Sequence, residues 1–304
     1  MRKRLCFSLT LLLFSGFIFL ILRMFPFAAE SASHFLLIHI YPGMHGFFAQ
    51  FPFSVGEALL IFLTLGGIWQ WICALIRRRI LRFLVCMLQI FSLLLAGYCV
   101  LWLPVSLVPA SAIPEYSTSS LYSLTTFLIQ NANSLCCRSE PPQPDSTLKS
   151  AAVLTGKAAK ASLLPEWLQF LSLAGIYLPW TAEAVINPHE PAWSLPFMIC
   201  HEIAHASGIA SEAEANLAAY YFCLSGDAAF RYSGYLSILR YAMQELYIRD
   251  PDFWHLAIEM LLPPVYLDLA SIGGFTQPVY PGLQPRIFSH SSYSDVLGLL
   301  IHEM

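Results

Sequence analysis

Three long apolar stretches near one end constrain this chain more than anything else in it. They are Leu5–Leu22 (LCFSLTLLLFSGFIFLIL), Ala58–Ile76 (ALLIFLTLGGIWQWICALI) and Leu81–Leu103 (LRFLVCMLQIFSLLLAGYCVLWL). A helix needs roughly 20 apolar residues to cross a bilayer, so the sequence predicts three spans. The first follows MRKR, but its apolar core is longer than that of a signal peptide and no small-x-small site follows it directly, which favours an uncleaved anchor. The expected fold class is therefore a mainly α membrane protein. Residues 1–103 are expected to form the membrane region, and residues 104–304 a mostly helical domain with at most a small β-sheet.

Charge orients the spans. Arg2, Lys3 and Arg4 precede the first, and Arg77, Arg78, Arg79 and Arg82 cluster between the second and third. The excess of Lys and Arg stays in the cytoplasm. The linker Arg23–Glu57 and everything after Leu103 are then expected outside, with Arg23 alone arguing the other way. Charged residues make up 12% of the chain and the net charge is −3, so no basic field points to nucleic acid. The lipid bilayer is the partner that composition implies.

Beyond the spans the pattern is mostly helical. A short helix is expected at Ser120–Asn131, further helix in LKSAAVLTGKAAKASLLPEWLQFLSLAG with a break at Pro165, and a strand within GIYLPWTAEAVINPHEP (175–191). Helices are then expected at 195–207, 211–225, 227–249, 252–262 and 291–303. The linker phenylalanines in FFAQFPFSVGEALL suggest a segment lying in the membrane interface. Cys136, Cys137, Cys200 and Cys223 fall outside the spans, and their spacing does not reveal any pairing.

The stretch CHEIAHASGIASEAEAN (200–216) carries the chemistry. His201 and His205 are four residues apart on one helical face, so both can bind one Zn²⁺. Glu202 flanks that face and is the expected general base toward a zinc-activated water. Such an HExxH pattern arises by chance in about one in a hundred chains of this kind. Here it lies on a helical segment that Gly208 ends, and a second helix with carboxylates starts at once. A catalytic zinc takes three protein ligands and keeps an open position. Glu212 is the favoured third ligand and Glu214 the alternative, because Ser211 and Glu214 form an S-x-x-E capping box that already gives Glu214 a structural role. Asn216 shares a helical face with Glu212 and can orient one of the histidines. Arg231, Tyr232 and Tyr235 in FRYSGYLSILRY are possible oxyanion donors, or surface and packing residues. Glu183 is either part of a substrate-binding strand or a polar residue on it.

HEIAH…EAEAN resembles the gluzincin metallopeptidases, with Glu212–Asn216 as the ExxAN element. The stretch from Gly175 to Cys223, with FRYSGYLSILRY, resembles a bacterial membrane-protein family of unknown function that has N-terminal spans and a zinc-peptidase-like C-terminal region. The family resemblance implies a bacterial cell-membrane protein and adds no substrate. The motif resemblance implies a zincin-like domain over 104–304 that acts on a peptide or protein near the membrane. The charge distribution puts the N-terminus in the cytoplasm. An aspartate often stands where Asn216 is, and an amide in its place adds no negative charge. An intramembrane protease is a poorer match, because Pro191, Pro196 and SEAEAN interrupt any span around His201, and VYLDLAS (265–271) only faintly echoes the aspartate motif of such enzymes. A non-catalytic membrane protein with a structural or sensory zinc site is the alternative from another class.

Overall fold

The computed structural model of the protein describes residues 1–136, 141–271 and 291–303. Helix α1 (Arg2–Met24) leads into α2 (Pro26–Phe35), a π-helical turn (Leu36–Ile40) and α3 (Tyr41–Phe48). Helices α4 (Val55–Ile76) and α5 (Ile80–Leu101) follow, with the short α6 (Leu103–Ser106) after them. Helices α1, α4 and α5 are each long and apolar enough to cross a membrane, and the sequence expectation differs from them by three residues or fewer at each end. The α1–α5 seam holds the small buried side chains Ser8, Ser15, Ser92 and Cys99, which let membrane helices approach closely.

The rest of the chain wraps a small sheet in helices. These are α7 (Thr118–Leu135), α8 (Pro144–Thr155), β1 (Ala159–Ala161), α9 (Pro165–Phe170), β2 (Gly175–Leu178) and β3 (Glu183–Ile186). Then come α10 (Leu195–Ala206), α11 (Glu212–Ser225), α12 (Ala228–Arg249), α13 (Pro251–Glu259), α14 (Pro263–Ser271) and α15 (Ser291–Glu303). The order in the sheet is β1-β3-β2. Strand β1 runs parallel to β3, and β2 runs antiparallel to it with Gly175 opposite Ile186. The region 175–191 thus yields two strands, turned at Trp180–Ala182, where Ala182 takes φ 51°. Strand β1 lies where helical composition hides it: it has only three residues and is set by its partner β3 rather than by propensity.

One core joins α7, α10, α11 and α12 over β3, and Phe197, Ile203, Leu236, Ile238 and Leu239 are fully buried in it. Helix α10 is apolar on nearly every side and sits in the middle of this core. The helix that carries both histidines is therefore the best-supported element of the domain.

The membrane helices and the sheet are interlocked. Glu183 on the central strand accepts the backbone N–H of Val55 (3.0 Å) and of Gly56 (2.7 Å) at the start of α4. It also pairs with Lys160 Nζ at 2.6 Å, and both side chains are buried. Lys160 Nζ further donates to the carbonyls of Phe48 and Phe53 in the linker. A carboxylate at a helix N-terminus meets free N–H groups and the positive end of the helix dipole. Burial opposes the ionised form of Glu183, yet Lys160 and the Gly56 and Val55 N–H groups outweigh it and hold its pKa below the usual range. On the opposite bank Glu57 accepts from Ser162 Oγ (2.6 Å) and the Leu163 N–H (2.7 Å). His45 bridges the Ala182 carbonyl and the Ala158 N–H, and the Tyr41 hydroxyl donates to the Leu101 carbonyl. The end of α1, the start of α4 and the end of α5 thus all lie on the side of the domain, and the Arg77–Arg79 turn lies at the other end.

Candidate metal centre

The way α10 ends builds the centre. Gly208 adopts φ 91°, a left-handed conformation suited to glycine. The Ile209 N–H then returns to the Ala204 carbonyl at 3.2 Å, closing the helix in a Schellman-type turn. The same turn brings the Ile209 carbonyl to 2.7 Å from His205 Nδ1. A carbonyl only accepts, so Nδ1 carries the proton and Nε2 presents a lone pair. Ser211 caps α11 by accepting the Glu214 N–H, and Glu212 falls in the first turn facing the two histidines.

Three ligand atoms converge. The Nε2 atoms of His201 and His205 are 3.1 Å apart. Glu212 reaches His201 Nε2 at 3.3 Å and His205 Nε2 at 3.5 Å with its two oxygens. Ligand atoms bound tetrahedrally at zinc's bond lengths of about 2.0–2.1 Å stand about 3.3 Å from one another. Two imidazoles and a carboxylate with these spacings could hold a divalent metal. Both histidines are buried, whereas the Glu212 side chain is 42% exposed, so the centre opens on the Glu212 side.

The electrostatics follow from this crowding. Burial alone would raise the pKa of Glu212, but hydrogen bonds to His201 and His205 hold it far below the ordinary range. Burial works against protonated His205, yet Glu212 and Glu202 together raise its pKa. Glu202 is fully buried, and its pKa is raised by desolvation and by Glu212, against the lowering effect of the histidines. Its side chain lies against β2. A Cβ at Gly175 would stand 2.5 Å from Glu202 Cγ and 2.7 Å from Oε1. Sequence reasoning misses Gly175, because only a fold that brings strand and helix into contact makes a glycine necessary there.

The other residues singled out in the sequence fall as follows. Glu214 turns away from the cluster: its carboxylate accepts from the Ser111 N–H (2.8 Å) and Ser111 Oγ (2.6 Å). Its backbone makes the capping bond expected of it, but its carboxylate serves Ser111 instead of the helix start. Asn216 is buried, and its Nδ2, like His201 Nδ1, has no hydrogen-bond partner among the described residues. The Tyr232 hydroxyl donates to Asp268 at 2.6 Å, and the Tyr235 ring packs on Tyr220 and Phe127. Arg231 is exposed. Tyr235 thus lies against the far half of α11, where Tyr220 is eight residues beyond Glu212, about 12 Å along the helix. Cys200 and Cys223 meet as buried thiols between α10 and α11, and burial raises the Cys223 pKa. Cys137 lies outside the described residues.

The linker also touches the centre. Leu37, in the π-helical turn, packs against Gly208, where a Cβ would come within 2.1 Å of its Cδ2. Leu36, Tyr41 and Val105 form a small core with Leu37, Trp102 and Ala210 around it. The loop that delivers Glu212 therefore rests on the C-terminal end of α5.

Comparison with curated proteins and with solved structures finds no match. The family described as "Protein of unknown function (DUF3810)" matches residues 33–297. That range takes in the linker, α4, α5, the sheet and both helices of the centre, and the chain belongs to this family.

Proposed function

We propose that the protein is a membrane-anchored zinc metallopeptidase of gluzincin type, acting on an extracytoplasmic peptide or protein close to the membrane. The observation that carries this reading is the pairing of the His201–His205–Glu212 cluster with a separate, fully buried carboxylate, Glu202. A site that only binds metal needs ligands and has no use for a desolvated acid beside them.

A bound zinc supplies Lewis acidity, polarising a peptide carbonyl and lowering the pKa of water toward 7. His201, His205 and Glu212 would hold it, and the Ile209 carbonyl keeps His205 in the tautomer that binding needs. The Glu202 carboxylate takes a proton from the attacking water and returns it to the leaving amine. Strand β2 is an edge of the sheet and touches Glu202 through Gly175, so an extended substrate can pair along it. The distribution of arginines and lysines puts the N-terminus in the cytoplasm and the centre outside.

The experiment couples metal analysis with Glu202→Gln in the full-length protein. Wild type should bind about one zinc and cleave peptides, and the variant should bind zinc and lose cleavage. Zinc retained with cleavage unchanged in the variant would refute the base. Zinc bound with no cleavage by wild type would favour a structural or sensory site, and absence of metal would end the reading altogether.

A further inference from the structure

The short helix α9 presents its apolar side outward. Leu163, Trp167, Phe170 and Leu171 are 41%, 61%, 78% and 50% exposed, while Leu168 points into the core. Trp167, Phe170 and Leu171, at i, i+3 and i+4, share one face of α9 and its C-cap, with Leu163 just before the helix, and the rings of Trp167 and Phe170 meet edge to face. Glu166 and Gln169, also exposed, flank them. Large apolar side chains gathered on one exposed face mark a surface meant for something other than water.

What covers this face follows from where it is fastened. The Leu163 N–H and Ser162 Oγ are bound to Glu57, in the first turn of α4. Only three residues further on, α4 shows the exposed apolar side chains Leu60 and Phe62. The neighbouring β2–β3 turn also meets the apolar helices. Trp180 Nε1 donates to the Leu94 carbonyl of α5, seven residues and so about 10 Å short of the end of that helix at Leu101. The α9 face is therefore continuous with the lipid-facing surface of the spans.

We infer that α9 is an interfacial anchor, inserting Leu163, Trp167, Phe170 and Leu171 into the outer leaflet beside the start of α4. Tryptophan and phenylalanine suit the boundary between headgroups and acyl chains. No basic residue stands on this face, so the contact is apolar and does not need anionic lipid. The helix ends in a turn with Ser172 at φ 55° and the Leu173 N–H on the Leu168 carbonyl, only a few residues before Gly175. The bilayer thereby fixes the height of β2, the strand that touches Glu202. The inference rests on α4 and α5 crossing a membrane and stands whether or not the centre binds metal.

The test uses full-length protein in phosphatidylcholine vesicles, with and without bromine on the acyl chains near the headgroup. Subtracting the emission of Trp167→Phe from that of wild type isolates Trp167. The difference emission should be blue-shifted, fall severalfold in brominated lipid and resist aqueous iodide. Phe170→Glu should shift it to the red and open it to iodide, with the protein still held in the vesicles by its spans. Quenching by iodide and not by bromine in the wild type would overturn the anchor. So would silence to both quenchers, which would mean a protein cover such as a second copy of the chain.

Discussion

The backbone of Gly175 and the side chain of Glu202 occupy adjoining space, with no room for a methyl group between strand and helix. Gly175→Ala is therefore expected to push the Glu202 carboxylate aside without touching any ligand atom. A displacement of about 1 Å in a reacting group costs on the order of 100-fold in rate. Peptidase turnover should fall by that factor while bound zinc stays near wild type. Loss of zinc together with turnover would show that the strand supports the whole helix and not Glu202 alone.

Glu212 and Glu214 are two residues apart and face different partners. Glu212→Ala should weaken zinc binding by more than about 100-fold, since even the loss of an outer partner of a ligand costs 10–100-fold. Glu214→Ala should leave zinc affinity within a few-fold and release only the segment at Ser111. Competition titrations with a chelator would separate the two.

Lys160 and Glu183 form a buried pair with further hydrogen bonds at both ends. Removing one partner leaves the other charged and desolvated, at a cost of about 3–5 kcal/mol. Glu183→Gln and Lys160→Met should each lower the melting temperature markedly. The double variant should be more stable than the sum of the two losses implies, which a thermal double-mutant cycle would read directly.

Stability should fall with acid in two steps. Burial lowers the pKa of His45 and neighbouring Lys157 and Lys160 add to this, against the Ala182 carbonyl and Glu183, which raise it. The folded form therefore binds its proton less readily than the unfolded chain, and the stability His45 contributes begins to drop as pH falls below about 6.5. Glu183 is likewise held below its unfolded value. Its contribution is present above about pH 4.3 and is lost as pH falls further through the folded pKa. Chemical denaturation in detergent between about pH 8 and pH 2 would follow both steps, and His45→Gln should remove the first.

A fragment of residues 104–304 is expected to fold poorly on its own. It lacks the Val55 and Gly56 N–H groups that Glu183 accepts, the carbonyls that Lys160 binds and the ring of His45 between Ala158 and Ala182. Limited proteolysis of the fragment should be fast compared with the same region in the intact chain.

Much of this architecture is readable from pattern alone. The spans are legible because hydropathy over 20 residues needs no tertiary information. The two histidines and Glu212 are legible because helical spacing and a glycine stop fix them locally. What escapes is whatever depends on distant partners. Glu214 meets Ser111 across 103 residues and Glu183 meets Gly56 across 127. The short strand β1 exists only because β3 lies beside it, and Gly175 and Leu37 acquire roles only when the chain brings them to Glu202 and Gly208. The tyrosines of FRYSGYLSILRY attract attention in the sequence through composition, but helix packing turns them to Asp268 and Tyr220.

The carboxylate that receives the first turn of α4 is made 127 residues after that turn. Emergence of the long apolar helices and folding of the domain that follows them are therefore separated in time, since the chain emerges from its N-terminus onward. Until residue 183 has been synthesised, the Val55 and Gly56 N–H groups at the start of α4 lack the carboxylate that receives them in the folded protein. A chain halted before that point would be inserted yet unlatched. Arrival of the central strand is thus the event that turns a set of threaded helices into an assembled protein.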